Sequence, residues 1–140
     1  MSGDDFTLHP QLAADTVEVA RWPLSLVLLN NDATYPWLVL VPRLPGLRDL
    51  HDMPADRHGA VMAEIGRASE ALQTACAADK INVAALGNQV PQLHIHVIGR
   101  RTGDPAWPRP VWGAVPARPY ADDERTQLIG NLTMAFGDAA

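Results

Sequence analysis

The sequence predicts an α+β fold in which one antiparallel sheet packs against a long helix and a C-terminal helix. Short apolar runs that end at proline, glycine or asparagine are typical of strands, and they occur on both sides of one long apolar stripe at helical spacing. Strands and helices do not alternate along the chain. A parallel sheet of repeated β-α-β units is therefore not expected.

Three strands are predicted in the first half of the chain, after a short turn or helix at Leu8–Ala14. The first, TVEVARW at Thr16–Trp22, alternates in character, which is the period of a strand with one buried face. The next two are continuous apolar runs, SLVLL at Ser25–Leu29 and WLVLV at Trp37–Val41. Because only a short, turn-rich link separates these two runs, they predict an antiparallel pair.

The second half begins with a loop rich in proline, after which a helix is predicted from about Asp56 to Ala78. Its apolar residues recur at spacings of three and four and form a single stripe. Two strands follow, at Ile81–Leu86 and Gln92–Arg100. The proline-rich segment 103–119 should be irregular and extended, and a final helix is predicted at Asp122–Phe136.

Length and composition indicate one folded domain that covers residues 1–140. Hydrophobic residues make up 47% of the chain and charged residues 19%, which is typical of a globular protein. The net charge of −5 disfavours a nucleic-acid groove, although a few local groups can still hold a small phosphorylated ligand. Cys76 is the single cysteine, so no internal disulfide can form.

No targeting or membrane-spanning segment is expected from the sequence. The first residues, MSGDDFTLHP, are acidic and do not have the basic and apolar regions of a signal peptide. No apolar run approaches the ~20 residues that a transmembrane helix needs. We therefore expect a cytoplasmic protein that does not bind a membrane.

The stretch QLHIHVI contains the residues that are best suited to chemistry. In a strand, side chains alternate between the two faces, so Gln92, His94 and His96 are expected on one face and the apolar residues between them on the other. Side chains two residues apart lie ~7 Å from each other along a strand, since each residue rises ~3.4 Å. A tetrahedral phosphate can bridge two such imidazole rings.

Two other interpretations of the histidines remain open at this point. A single histidine in a strand is more often a satisfied, partly buried residue than a functional one. The His-x-His spacing also suits a metal ion, with His51, His58 or Asp49 as further ligands, but no Cys/His or Glu/His companion occurs at a fixed spacing. A metal site is therefore the less favoured alternative.

QLHIHVI also resembles the signature of the histidine triad (HIT) superfamily, His-φ-His-φ-His-φ-φ with φ apolar, except that Gln92 stands at the first position. The order of elements around it is similar too: Asn30 after an apolar strand, a strand that ends in Pro42, the long helix, then Asn88 before the motif. The resemblance covers residues 16–112 and leaves 113–140 as a C-terminal extension. The tail DPAWPRPVWG is similar to that of a bacterial branch in which the glutamine variant is frequent.

The resemblance implies a five-stranded antiparallel sheet with helices on one side, paired in a homodimer. It also implies a nucleotide hydrolase or nucleotidyl transferase that acts at the α-phosphate of dinucleoside polyphosphates or nucleoside phosphoramidates, without a cofactor. His94 would be the nucleophile, with His96 as its neighbour, and Asn30 and Asn88 would bind the nucleotide. Backbone N–H groups of the loop before the motif, at Asn88, Gln89 and Val90, would suit phosphate oxygens.

Two departures from the family pattern bear on activity. The amide of Gln92 can donate and accept hydrogen bonds but cannot carry a proton's charge, so we expect a role in geometry and expect Gln92→His to be tolerated. Trp37 stands where many members have a histidine, and its ring can donate one hydrogen bond but accept none. A nucleotide-binding module with little catalysis is therefore the alternative function. Trp107 and Trp112 are interpreted as packing residues or as a wall for a base.

Overall fold

The computed structural model describes residues 6–137, and it confirms the α+β fold with a five-stranded antiparallel sheet. The strands are numbered β1 to β5 and the helices α1 to α3 in chain order, and the sheet order is β1-β2-β3-β5-β4. The bounds of these elements are α1 Pro10–Asp15, β1 Thr16–Arg21, β2 Ser25–Asn30, β3 Trp37–Pro42, α2 His58–Cys76, β4 Lys80–Ala84, β5 Ile95–Arg100 and α3 Asp122–Phe136.

Both faces of the central strands β2 and β3 are covered, which explains why their sequences are continuously apolar rather than alternating. On one face, alternate residues of β2, β3 and β5 pack against α2 and α3; in this layer Trp22 also meets Phe136 edge to face. The opposite face is covered by the N-terminal segment and by the proline-rich segment, through residues such as Leu12, Ala106 and Val111. His96 is on this second face, since it alternates with the core residues Ile95 and Val97.

The ends of two predicted strands differ in the structure. β4 ends at Ala84 rather than Leu86, and β5 begins at Ile95 rather than Gln92. The pairing of β5 with β3 stops at Ile95, opposite Leu40, because the N–H of Leu93 donates to the carbonyl of Leu47 instead of continuing the ladder. The chain around Gln92 therefore does not follow the two-residue alternation of a strand.

The predicted C-terminal extension contains α3, and residues 138–140 of it lie outside the described residues. The segment before α3 is hydrogen-bonded to the loop after β2. The buried carboxylate of Asp32 accepts hydrogen bonds from the N–H groups of Thr34 and Arg118, and Asn31 accepts one from the N–H of Tyr120. Within residues 6–137, no helix has the length and apolar character needed to cross a membrane.

A buried ion pair joins the end of β5 to the proline-rich segment. Arg100 is only 1% exposed, and its Nε and Nη2 atoms donate to the two carboxylate oxygens of Asp104 at 2.7 and 2.8 Å, while Nη1 donates to Asn82 on β4 at 2.9 Å. The N–H groups of Ala106 and Trp107 donate to the same carboxylate. The hydrogen bond from Arg100 lowers the pKa of Asp104. These contacts fix the start of the segment that covers the second face.

Replacing Arg100 with methionine should destabilise the fold by roughly 3–5 kcal/mol, since it leaves a buried carboxylate without its counter-ion. Urea denaturation monitored by tryptophan fluorescence measures the change. Arg21→Met is the matched control, because Arg21 makes a similar contact with Glu18 at the surface. The control should move the midpoint very little. Equal effects of both substitutions would contradict the role assigned to the buried pair.

Candidate active site

A cavity of about 390 Å³ opens on the second face of the sheet, at the end where β5 begins. Six of the seven predicted site residues line it, and the seventh, Gln92, does not. These six come from the end of β2, from the loop before the histidine motif, and from the start of β5: Asn30, Asn88, Gln89, Val90, His94 and His96. The remaining wall comes from α1, β1, β3, Leu86, Gly87 and Trp112.

The two histidine rings are neighbours in this cavity. Their centroids lie 4.9 Å apart and their planes are nearly perpendicular, at 76°. His94 is 7% exposed, and His96 is partly buried. Both rings therefore reach one small guest and lie too deep to be ordinary surface histidines.

The ring of His94 is oriented by the main chain. Its Nδ1 atom lies 2.8 Å from the carbonyl oxygen of Gln92. A carbonyl oxygen only accepts hydrogen bonds, so Nδ1 must carry the proton and donate it. In the neutral ring, Nε2 then holds a free lone pair, as a nucleophile requires.

His96 contacts two indole rings. Trp37 on β3 donates from Nε1 to Nδ1 of His96 at 3.0 Å, and the ring of Trp112 lies edge-on to His96 with centroids 5.1 Å apart. Burial, with a smaller contribution from His94, lowers the pKa of His96 to about 4. At neutral pH the ring of His96 is therefore uncharged.

Gln92 points away from the histidines, although the sequence pattern predicts all three residues on one face. Its side-chain oxygen accepts from the N–H of His9 at 2.8 Å, and its side-chain nitrogen donates to the carbonyl of Thr7 at 2.8 Å. The amide thus binds the main chain of the N-terminal segment with one accepted and one donated hydrogen bond, as the backbone of a neighbouring strand does. His9 in turn caps α1, since its Nδ1 accepts from the N–H of Gln11 at 3.0 Å.

Gln92 is therefore connected to the cavity only indirectly, through the N-terminal segment that it binds. Leu12 and Asp15 of α1 are among the residues that line the cavity. The side chain of Gln92 therefore contacts the segment that leads to the cavity wall and does not itself line the cavity. The contact between residues 83 positions apart leaves no local pattern in the sequence from which it can be found.

The tryptophans of the proline-rich segment have different surroundings. Trp107 lies beside Arg100, whose guanidinium carbon is 5.6 Å from the ring centroid, and it does not line the cavity. Trp112 lines the cavity, is 41% exposed and meets Trp37 edge to face at 5.5 Å. The packing interpretation therefore fits Trp107, while Trp112 has a face that a base can contact.

The cavity is nearly free of charge. Asp15 and the two histidines are the ionisable side chains among its described lining residues, and no lysine or arginine is among them. A bound anion would therefore be held by neutral donors, such as imidazole, amide and backbone N–H groups. This is consistent with an acidic protein that takes a small phosphorylated guest.

The described residues do not support the metal interpretation. Within residues 6–137, no group of three or more histidine, cysteine or carboxylate side chains is arranged to hold an ion. His51 is at the surface near Asp52, and Nε2 of His58 lies 3.1 Å from the carbonyl of Met53. Neither side chain lines the cavity that contains His94 and His96.

A second cavity, also of about 390 Å³, lies between the end of α2, the loop after β2 and the start of α3. Cys76, Arg101 and Tyr120 are among its lining residues, and no histidine lines it. Burial raises the pKa of the Cys76 thiol, so this cysteine is not activated as a nucleophile. Of the two cavities, the one that contains His94 and His96 is therefore the candidate active site.

Comparisons with known proteins agree with the geometry. The family model of the HIT domain matches residues 11–103 of the sequence. A histidine triad protein from Bradyrhizobium japonicum is 45% identical, with 94% of this chain and 98% of that chain covered and a TM-score of 0.91. One from Marinobacter aquaeolei is 44% identical, with 96% and 98% covered and a TM-score of 0.92.

A third similar structure is a HIT protein from Sinorhizobium meliloti. It is 35% identical, with 96% of this chain and 99% of that chain covered and a TM-score of 0.92. The search of curated proteins returned no match.

Replacing Gln92 with alanine should destabilise the protein by about 1–2 kcal/mol, because the half-buried N–H of His9 and the carbonyl of Thr7 lose their partners. Urea denaturation measures the loss, and hydrogen exchange at the amide of His9 reports it locally. Gln11→Ala is the matched control, since that amide bonds only to the exposed Asp15. Unchanged protection of the His9 amide in Gln92→Ala would contradict this role.

Proposed function

Because this chain belongs to the HIT domain family, we propose that it is a nucleotide hydrolase or nucleotidyl transferase that works through a covalent nucleotidyl-His94. Hydrolysis is the favoured outcome. The substrate would be a dinucleoside polyphosphate or a nucleoside phosphoramidate, attacked at its α-phosphate. The observation that carries this proposal is the hydrogen bond from His94 Nδ1 to the carbonyl of Gln92, which leaves a free lone pair on Nε2.

The first step uses that lone pair. His94 Nε2 forms a bond to the α-phosphorus while the bond from this phosphorus to the leaving oxygen or nitrogen breaks. The electron pair departs with the leaving group, and a leaving nitrogen takes up a proton from solvent. The Nδ1 proton stays on the ring and keeps its bond to the carbonyl, which stabilises the positive charge that the ring acquires. The ring is held in place before the reaction, so little orientational freedom is lost in this step.

The second step returns the enzyme to its starting state. A water molecule attacks the same phosphorus, the bond from phosphorus to Nε2 breaks, and the nucleoside monophosphate leaves. Water supplies the oxygen of the new phosphate group, and its surplus proton passes to solvent. An alcohol or amine in place of water would make the same protein a nucleotidyl transferase.

Neutral donors would stabilise the phosphate oxygens during both steps. His96 lines the same cavity as His94, and so do the loop residues Asn88, Gln89 and Val90. We propose that the His96 ring and the backbone N–H groups of this loop bind the equatorial oxygens. None of these groups needs a cofactor or a metal ion.

The nucleoside would occupy the rest of the cavity. Asn30 stands at the end of β2, where its amide can bind the hydroxyl groups of a ribose. Leu86 and Trp112 provide apolar and aromatic surface for the base, and both side chains are exposed in the single chain. We also propose that the protein is a homodimer, as expected for the family, and that it is cytoplasmic. Light scattering tests the homodimer.

A binding module with little catalysis is the alternative function. The absence of a third imidazole favours it, because the first motif position holds a glutamine whose amide is turned to the N-terminal segment. The intact pair of rings and the oriented His94 favour catalysis. We still predict that Gln92→His is tolerated. We also expect that an imidazole ring at this position cannot make both hydrogen bonds of the amide, to the N–H of His9 and to the carbonyl of Thr7.

The variant His94→Ala should lose turnover by at least about 1,000-fold while it stays folded, because it removes the ring whose Nε2 lone pair attacks phosphorus. Release of nucleoside monophosphate from a panel of dinucleotides and phosphoramidates, detected by chromatography, measures this. His51→Ala is the control, since its ring is at the surface and should not affect the rate. Undiminished release by His94→Ala would end the proposal.

Mass spectrometry of the protein mixed with diadenosine tetraphosphate or an adenosine phosphoramidate gives the direct observation. We expect an adenylylated peptide that contains His94, and no such adduct in His94→Ala. Tight binding of adenosine monophosphate with neither adduct nor product would favour the binding module instead.

A further inference from the structure

We propose that Trp37 is a positioning residue that fixes the tautomer of His96, so that the two rings of the cavity are held as opposite tautomers. His94 then presents a lone pair to the guest, and His96 presents an N–H group. The catalytic consequence rests on the proposed function, whereas the tautomers themselves can be tested without it.

The inference begins with what an indole can do. The Nε1–H of Trp37 is a donor and has no lone pair to offer, and it lies 3.0 Å from Nδ1 of His96. Nδ1 must therefore be unprotonated. The single proton of the neutral ring is then on Nε2, the other ring nitrogen.

The surroundings of Trp37 hold the donor in place. Trp37 pairs with Ile98 across the β3–β5 ladder, while His96 pairs with Val39, so the two rings are diagonal neighbours on one face. The indole is 7% exposed and lies between the rings of Tyr35 and Trp112, with centroid distances of 6.4 and 5.5 Å. It therefore has little freedom to rotate away from His96.

His94 is held in the opposite tautomer, because its partner is a hydrogen-bond acceptor rather than a donor. The carbonyl of Gln92 accepts from Nδ1 of His94, whereas the indole of Trp37 donates to Nδ1 of His96. The same atom of each imidazole is thus protonated in one ring and unprotonated in the other. This difference suits the proposed phosphoryl transfer, in which an electron pair of His94 would reach phosphorus while an N–H group of His96 would reach a phosphate oxygen.

A charged His96 conflicts with the same contact. Protonation would place an N–H group on Nδ1 directly against the N–H of Trp37. The low pKa of His96, which has burial as its main cause, is consistent with a ring that stays neutral. The other ionisable groups at the cavity are His94 and Asp15, and the substitutions of Trp37 and Trp112 described below keep both.

Nitrogen NMR of the ¹⁵N-labelled protein tests the proposal directly, because the shifts of the two ring nitrogens distinguish the tautomers. The histidine signals are assigned with single His→Gln variants. We expect His94 to be protonated on Nδ1 and His96 on Nε2. A wild-type His96 that carries its proton on Nδ1 would overturn the proposal.

Trp37→Phe removes the donor and keeps an aromatic ring. We expect the Nδ1 signal of His96 to move toward that of a free imidazole nitrogen, and its acid titration midpoint to rise by about one pH unit, since a hydrogen bond to the neutral form is lost. Trp112→Phe is the matched control, because that indole also meets His96 edge-on but its contact is by the ring alone. The same change in both variants, or in neither, would contradict the role of Trp37.

A second substitution separates the hydrogen bond from packing in case Trp37→Phe does not fold. Benzothienylalanine at position 37 keeps the bicyclic shape and replaces the N–H with sulfur. It should reproduce the altered His96 signals in a folded protein. Unaltered signals would refute the proposal, while altered signals in a protein whose His94→Ala variant still turns over substrate would refute only the proposed function.

Discussion

The hydrogen bond between the ring of His94 and the carbonyl of Gln92 is the contact on which the site depends. It exists because the chain leaves the sheet just before β5. In a continued ladder, the backbone around Gln92 would be engaged with β3, but here the N–H of Leu93 donates to Leu47 instead. The carbonyl is thereby available to the imidazole two residues later, at 2.8 Å. The backbone, rather than another side chain, therefore orients the ring of His94.

The sequence predicted the sheet, the long helix and the place of the two histidines, because each of these follows from local periodicity. The predicted bounds of the first three strands lie within a residue or so of the observed ones, which are Thr16–Arg21, Ser25–Asn30 and Trp37–Pro42. The direction of Gln92 could not be predicted in this way. Alternation specifies a face only where the strand continues, and this strand starts at Ile95.

The contacts that tune the site were also beyond the reach of the sequence. Trp37 and His96 are 59 residues apart, and the amide of Gln92 meets Thr7 across 85 residues. Such pairs depend on the order of strands in the sheet, for which no local signal exists. The sequence did show that tryptophan can only donate at position 37. What it could not show was the atom that receives the hydrogen bond.

The buried contact of Arg100 with Asp104 has a consequence for how a guest comes and goes. It joins the strand that bears His96 to the segment that leads to Trp112, so a buried ion pair links these two parts of the cavity wall. Opening by separation of the walls would break a sequestered charge pair, which is costly. Residues 86–90 also line the cavity, and there the backbone is outside any strand and turns at Gly87 with φ of 70°. Under the proposed function, the release of product would then depend on residues 86–90 rather than on the two histidines.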